Sequence, residues 1–181
     1  AIEYLRAHGH EFDAIHASPP CQAHSSMRAL RWKNNREHVS LIGSTREALQ
    51  AIGGVWVIEN VPGAPLDNPA LLCGAMFGLR VYRHRLFESN VLLLSPPHPI
   101  HRERIGGTNV NGTDGNLSRF NRANGMVSVV GHQYPVKMGR AAMQIDWMSR
   151  DELSQAVPPA FTFHVGSQLM MAVLAAKEVA A

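Results

Sequence analysis

Two residues in this chain are placed to do chemistry together, Cys21 and Glu59. Cys21 stands in Ser18-Pro19-Pro20-Cys21-Gln22, directly after an apolar stretch that ends at Ala17. The two prolines fix the backbone ahead of the thiol and limit its drift from a reacting atom. Glu59 stands in Ile58-Glu59-Asn60-Val61-Pro62, after the run Val55-Trp56-Val57-Ile58. A carboxyl group that follows four apolar residues is costly to bury ionised, which suits a group that must present a proton near neutral pH. A thiol beside a proton-bearing carboxyl is the equipment of covalent catalysis with acid assistance. Each residue also has a plainer reading. Free cysteine is among the most buried residue types, and a lone glutamate at a strand end is commonly a loop brace.

The elements that must position this pair are legible in the hydrophobic pattern. Phe12 to Ala17 reads as a short strand, ended by Ser18-Pro19-Pro20. A helix follows a polar, basic stretch, with Ser44 and Glu47 as a capping box, Ala48, Leu49 and Ile52 as its apolar face and Gly53-Gly54 as its stop. Val55 to Ile58 is apolar throughout, as buried parallel strands are. Strand, helix and strand at this spacing make a βαβ unit with a right-handed crossover. Cys21 and Glu59 then emerge on one rim, beyond the carboxyl ends of neighbouring strands, where open α/β sheets hold their ligands.

Farther along, Arg85 to Glu88 and Val91 to Leu94 read as two more strands, with a Pro- and Gly-rich stretch from Asn60 to Gly78 before them. Composition changes between Ser95 and Gly139, where Gly, Asn, Arg and His prevail and periodicity is poor. This reads as a small inserted module, with a plain linker as the alternative. Ser149 and Glu152 form a second capping box, and Pro158-Pro159 open a last helix with Val165, Leu169, Ala172, Val173 and Ala176 facing inward. The expected division is 1–94 as an α/β core, 95–139 as the module and 140–181 as helices returning to the core. Ala1 to Leu5 reads as the end of a helix, so the chain is expected to be a fragment that lacks preceding elements.

Hydrophobic residues make up 45% of the chain and charged ones 17%, a globular composition. Two cysteines are too few for a disulfide scaffold and favour a reducing cytoplasm. The apolar run near Val91 to Leu94 is strand-sized, so no bilayer span and no membrane partner is expected, and the protein is expected to be a monomer. A net charge of +3 permits nucleic acid as a partner without requiring it. A zinc site built on Cys21 and His24, completed by Cys73, His84 or another histidine, lacks the second close ligand pair that such sites show, so no metal is expected. A thiol hydrolase built on Cys21 and a distant histidine leaves Glu59 and the arginines at 83 and 85 without a role.

Taken in order, four segments resemble the DNA cytosine-C5 methyltransferase family in its bacterial or phage form. Pro20-Cys21-Gln22 matches the family's nucleophile motif, and Glu59-Asn60-Val61 matches its second motif. Arg83-His84-Arg85 matches its paired arginines, although Val81 stands where the family usually has Gln. Leu153 to Pro159 and Val165 to Leu169 resemble the closing motif, with Ser154-Gln155 in place of the usual Gly-Asn.

The resemblance implies a Rossmann-like methyltransferase sheet, incomplete at its N-terminus because no glycine-rich cofactor turn precedes Phe12, with an inserted recognition module. It implies S-adenosylmethionine as methyl donor, with Pro19, Gln155 and Ala156 beside it, and double-stranded DNA as partner. Cys21 would add to C6 of a flipped cytosine, Glu59 would hold N3, Arg85 would bind the base O2, and Arg83 would lie nearer a phosphate. Gln22, Ser25, Arg28, Arg31 and Lys33 would belong to a loop closing on DNA, and Arg102 and Arg104 to the recognition module with His98 and His101. The alternative is a catalytically inactive DNA-binding protein that keeps the fold.

Overall fold

A computed structural model describes residues 1–24, 38–101, 125–130 and 134–180. The fold is mixed α/β, with an open four-stranded sheet in the order β1-β2-β4-β3. The strands are β1 (Ala14–Ala17), β2 (Val55–Asn60), β3 (Ala70–Leu72) and β4 (Arg85–Ser89). The helices are α1 (Ile2–His8), α2 (Ile42–Ile52), α3 (Val136–Met143), α4 (Arg150–Gln155) and α5 (Pro159–Ala180). The chain forms two compact units. One comprises Ala1–Leu71, Leu86–Leu94 and Val165–Ala181, and the other Leu72–Arg85 and Ser95–His164.

In the first unit, β1 and β2 pair in parallel from Ala14 opposite Val55 to Ala17 opposite Ile58, with α2 in the crossover, as the strand, helix and strand pattern implies. β2 is buried at every position. Leu49 of α2 packs with Trp56 and Ile58, and Leu5, Ile15, Ala17 and Leu66 close this core. Gly53 and Gly54 end α2 at φ +76 and +73, angles that residues with a Cβ rarely adopt. The Ser44 capping box does not form. Ile42 is itself a core residue, 1% exposed, so its burial draws the first turn upstream, and the Ser44 hydroxyl donates to the Leu41 carbonyl oxygen instead.

β4 runs antiparallel to β2, from Leu86 opposite Asn60 to Ser89 opposite Val57. Arg46 of α2 clamps this strand. Its Nε and one terminal nitrogen reach the two Glu88 oxygens at 2.6 and 2.7 Å, and the Asp67 N–H donates to the same carboxylate at 2.9 Å. Burial pushes the Glu88 carboxyl up, but these hydrogen bonds and the Arg46 charge outweigh it and hold the group below its ordinary value.

Val91 to Leu94 is not a strand. Asn90 ends the ladder by accepting from the Trp56 N–H and donating to the Gly54 carbonyl oxygen. The Leu94 backbone then exchanges two hydrogen bonds with the Gln168 side-chain amide, which does the work a neighbouring strand would do.

The second unit has its own core of Leu79, Val81, Val129, Tyr134, Ala142, Met143, Ile145 and Leu153. That core divides the chain differently from its composition, because Leu72–Arg85 and residues 140–164 belong with the segment after Ser95. The Ser149–Glu152 capping box opens α4 as expected. α5 buries Phe161, Val165, Leu169 and Val173 at four-residue spacing, the stripe of a helix resting on one face. By length and composition alone α5 is also long and apolar enough to cross a bilayer, which no run in the sequence pattern had suggested.

Candidate functional site

The parallel register places the loops after β1 and β2 at the same end of the sheet. Cys21 opens a short 3-10 turn, Cys21–Ala23, four residues beyond β1, and is half-buried. Glu59 lies at the carboxyl end of β2 and is 7% exposed. Between them stands Asn60, 1% exposed, whose Nδ2 donates to the Pro19 carbonyl oxygen at 2.8 Å while its Oδ1 accepts from the Val61 N–H at 3.0 Å. One buried amide therefore ties the turn that carries the thiol to the strand end that carries the carboxyl. His16 of β1 adds a titratable neighbour. Burial pushes its imidazole below the ordinary value, and the charge of Glu59 pulls it partly back.

The other expected residues are placed as follows. Pro19 is buried, and Gln22 is exposed beside Cys21. Ser25, Arg28, Arg31, Lys33, Arg102 and Arg104 lie outside the described residues. Arg85 is half-buried and donates to the His84 carbonyl oxygen. Arg83 is not placed as a phosphate contact would be. It is 8% exposed, and its two terminal nitrogens donate at 2.8 Å to the carbonyl oxygens of Val129 and Ser154, so it fastens two segments of the second unit together. Gln155 is exposed at the end of α4, and Ala156 caps that helix. A ribose and an adenine need several polar partners. Pro19 has no donor and lends its carbonyl to Asn60, Ala156 is apolar, and Gln155 supplies one amide. These three residues do not by themselves make a pocket for an adenosyl group.

The second unit holds a different constellation, of Cys73, His84, His98 and His101. One donor atom from each lies within 4.8 Å of the others. The Cys73 sulfur is 3.4 Å from His101 Nε2, and His84 Nε2 is 3.0 Å from His98 Nε2. Cys73 and His84 are buried, His101 is half-buried and His98 is exposed. Local structure brings them in. Cys73 caps the 3-10 turn Gly74–Phe77, its carbonyl oxygen accepting the Met76 N–H at 3.0 Å and its own N–H donating to the Met76 sulfur at 3.2 Å. Gly74 lets that turn press on the following segment, where a Cβ would collide with the Val81 carbonyl oxygen. Tyr82 stacks on His101 with ring centroids 4.0 Å apart, which orients that imidazole.

No family model, characterised protein or solved structure matches this chain. The functional reading therefore rests on the residues themselves. His24, the partner considered for Cys21 in a metal site, is hydrogen-bonded to Ser40 at 2.8 Å and is not part of the cluster. The sequence signal for the cluster is His98-Pro99-Ile100-His101, a close histidine pair in the segment that composition marks as a recognition module.

Proposed function

We propose that this chain carries the base-activating half of a DNA cytosine-C5 methyltransferase, with a Rossmann-like sheet that takes its methyl group from S-adenosylmethionine. The single observation that carries the reading is the juxtaposition of the Pro20-Cys21 turn and Glu59 at the carboxyl ends of adjacent parallel strands, tied by Asn60. The sequence order of the motifs agrees with it. No step is written through the methyl donor, because Pro19, Gln155 and Ala156 do not make its pocket.

The chemistry of the chain's own residues is complete up to the activated base. The Cys21 thiolate adds to C6 of a cytosine turned out of the stack. The C5–C6 π electrons shift toward C4, the C4–N3 pair moves to N3, and a proton taken up from solvent by the Glu59 carboxylate is delivered there. The result is a neutral enamine whose C5 is nucleophilic. Arg85 serves the base O2 in this reading. In water, C5 takes up a solvent proton, loses its original one, and expels the thiolate as N3 returns its proton to Glu59.

That exchange supplies a test without a methyl donor. The folded chain is incubated with a mixed-sequence pool of duplex DNA tritiated at cytosine C5, and release of tritium to water is followed. Release is expected from the native chain, absent in Cys21→Ala, and slowed in Glu59→Gln at unchanged DNA retention. Release that survives Cys21→Ala overturns the assignment. DNA retained with no release favours the binding protein that keeps the fold without the chemistry.

A further inference from the structure

We infer that Cys73, His84, His98 and His101 form a closed binding site for one zinc-class divalent ion. The donor set has the right chemistry, since thiolate and imidazole nitrogen are the ligands such ions prefer. The donors also converge. With zinc–nitrogen bonds of about 2.1 Å and a zinc–sulfur bond of about 2.3 Å, a tetrahedron separates its nitrogens by roughly 3.4 Å and sulfur from nitrogen by roughly 3.6 Å. The facing His84 and His98 nitrogens stand at 3.0 Å, the Cys73–His101 pair at 3.4 Å, and all four donors lie within 4.8 Å of one another, so a central ion requires the wider pairs to close by at most roughly 1 Å.

The surroundings fit the same occupant. The hydrogen bonds between Cys73 and Met76 fix the backbone that carries the thiol, and the Tyr82 ring fixes the plane of His101. Binding releases the Cys73 proton to solvent and uses the Nε2 lone pairs of neutral imidazoles, which leaves the site with a net charge of +1. Four protein donors fill a tetrahedral ion, so no position stays open for water and the site is structural rather than hydrolytic. Its effect is to pin Ser95 to His101, a stretch without helix or strand, onto the Leu72–Arg85 segment of the same unit. None of this depends on the methyl-transfer reading, because neither Cys21 nor Glu59 takes part.

The test uses the untagged chain, stripped with a chelator and titrated with zinc chloride alone, then with cobalt(II) as a spectroscopic substitute. One ion per chain is expected, with a sulfur-to-cobalt charge-transfer band and the intense visible bands of tetrahedral coordination. Backbone amide exchange at His98, Ile100 and His101 should slow when zinc is present. His98→Ala is the principal variant, because that side chain is exposed and its loss leaves the apolar core untouched. Together with His101→Ala it should abolish stoichiometric binding, while His98→Cys restores it and Cys21→Ala leaves it unchanged. Cys73→Ala should remove the charge-transfer band. Absence of stoichiometric binding to the folded native chain overturns the site, as does binding that survives the double histidine variant or disappears with Cys21→Ala.

Discussion

The Cys21–Glu59 rim and the cysteine–histidine cluster draw on the sheet to different degrees. At the rim, backbone hydrogen bonds do the positioning. Two residues far apart in sequence come to one end of the sheet because β1 and β2 pair in parallel, and a single buried amide then fixes the turn between them. At the cluster, only half of the donors are set by the sheet: Cys73 follows β3 and His84 precedes its neighbour β4, while His98 and His101 come from a stretch without helix or strand. A 3-10 turn, a close approach at Gly74 and a stacked tyrosine bring four side chains to one point. A site hung on a sheet inherits the rigidity of its ladder, whereas the His98–His101 side of the cluster hangs on irregular chain and gains most from a ligand that holds it.

The largest effect that sharpens this contrast is expected from Arg46→Met. The variant leaves Glu88 buried, 3% exposed, without its partner, and breaking such a pair costs about 3–5 kcal/mol. Arg46 keeps some contact with solvent, so the lower end of that range is expected. Urea unfolding of the native chain and the variant measures it, and zinc stoichiometry at the cluster should be unaltered. The same pair carries an acid dependence. Glu88 titrates below its ordinary value in the folded protein, so its contribution is whole above that ordinary value and is lost as pH falls through the folded one. A variant as stable as the native chain would mean that the clamp does not support the sheet.

Asn60→Ala should come next. It removes the hydrogen bond that joins the segment before Cys21 to β2, and leaves the Pro19 carbonyl oxygen without that donor. A buried polar group deprived of its partner costs about 1–3 kcal/mol. The Cys21 thiol should react faster with an alkylating reagent, and tritium release from DNA should fall by more than the stability loss explains. Unchanged alkylation would show that the turn does not depend on the Asn60 amide.

The smallest effect belongs to His16. Its folded value lies below the ordinary 6.5, so its contribution to stability is whole above that pH and is lost as pH falls toward the folded value. His16→Gln should flatten the decline in urea midpoint below about pH 6.5 and leave the midpoint at pH 8 nearly unchanged. An identical pH profile in the variant would remove His16 from the electrostatics of the rim.

What the sequence determined by itself is the rim and its supports. Apolar runs of strand length, a helix between them, and the glycine pair at 53 and 54 specify the β1-α2-β2 unit, because each is a local signal that the fold has no reason to override. Ser149 and Glu152 announce their helix for the same reason. The tertiary structure decided the rest. Ile42 moved the start of α2 because burial outweighs a cap, and Gln168 replaced the strand expected at Val91 to Leu94 because a side-chain amide satisfied its backbone. Arg83 became an internal fastener because the carbonyl oxygens of Val129 and Ser154 were within its reach. The cluster was the least legible feature of all. Its four donors sit on a buried turn and on irregular chain, where no periodicity reports which way a side chain faces, so only the folded structure could bring Cys73 and His84 to the His98–His101 pair.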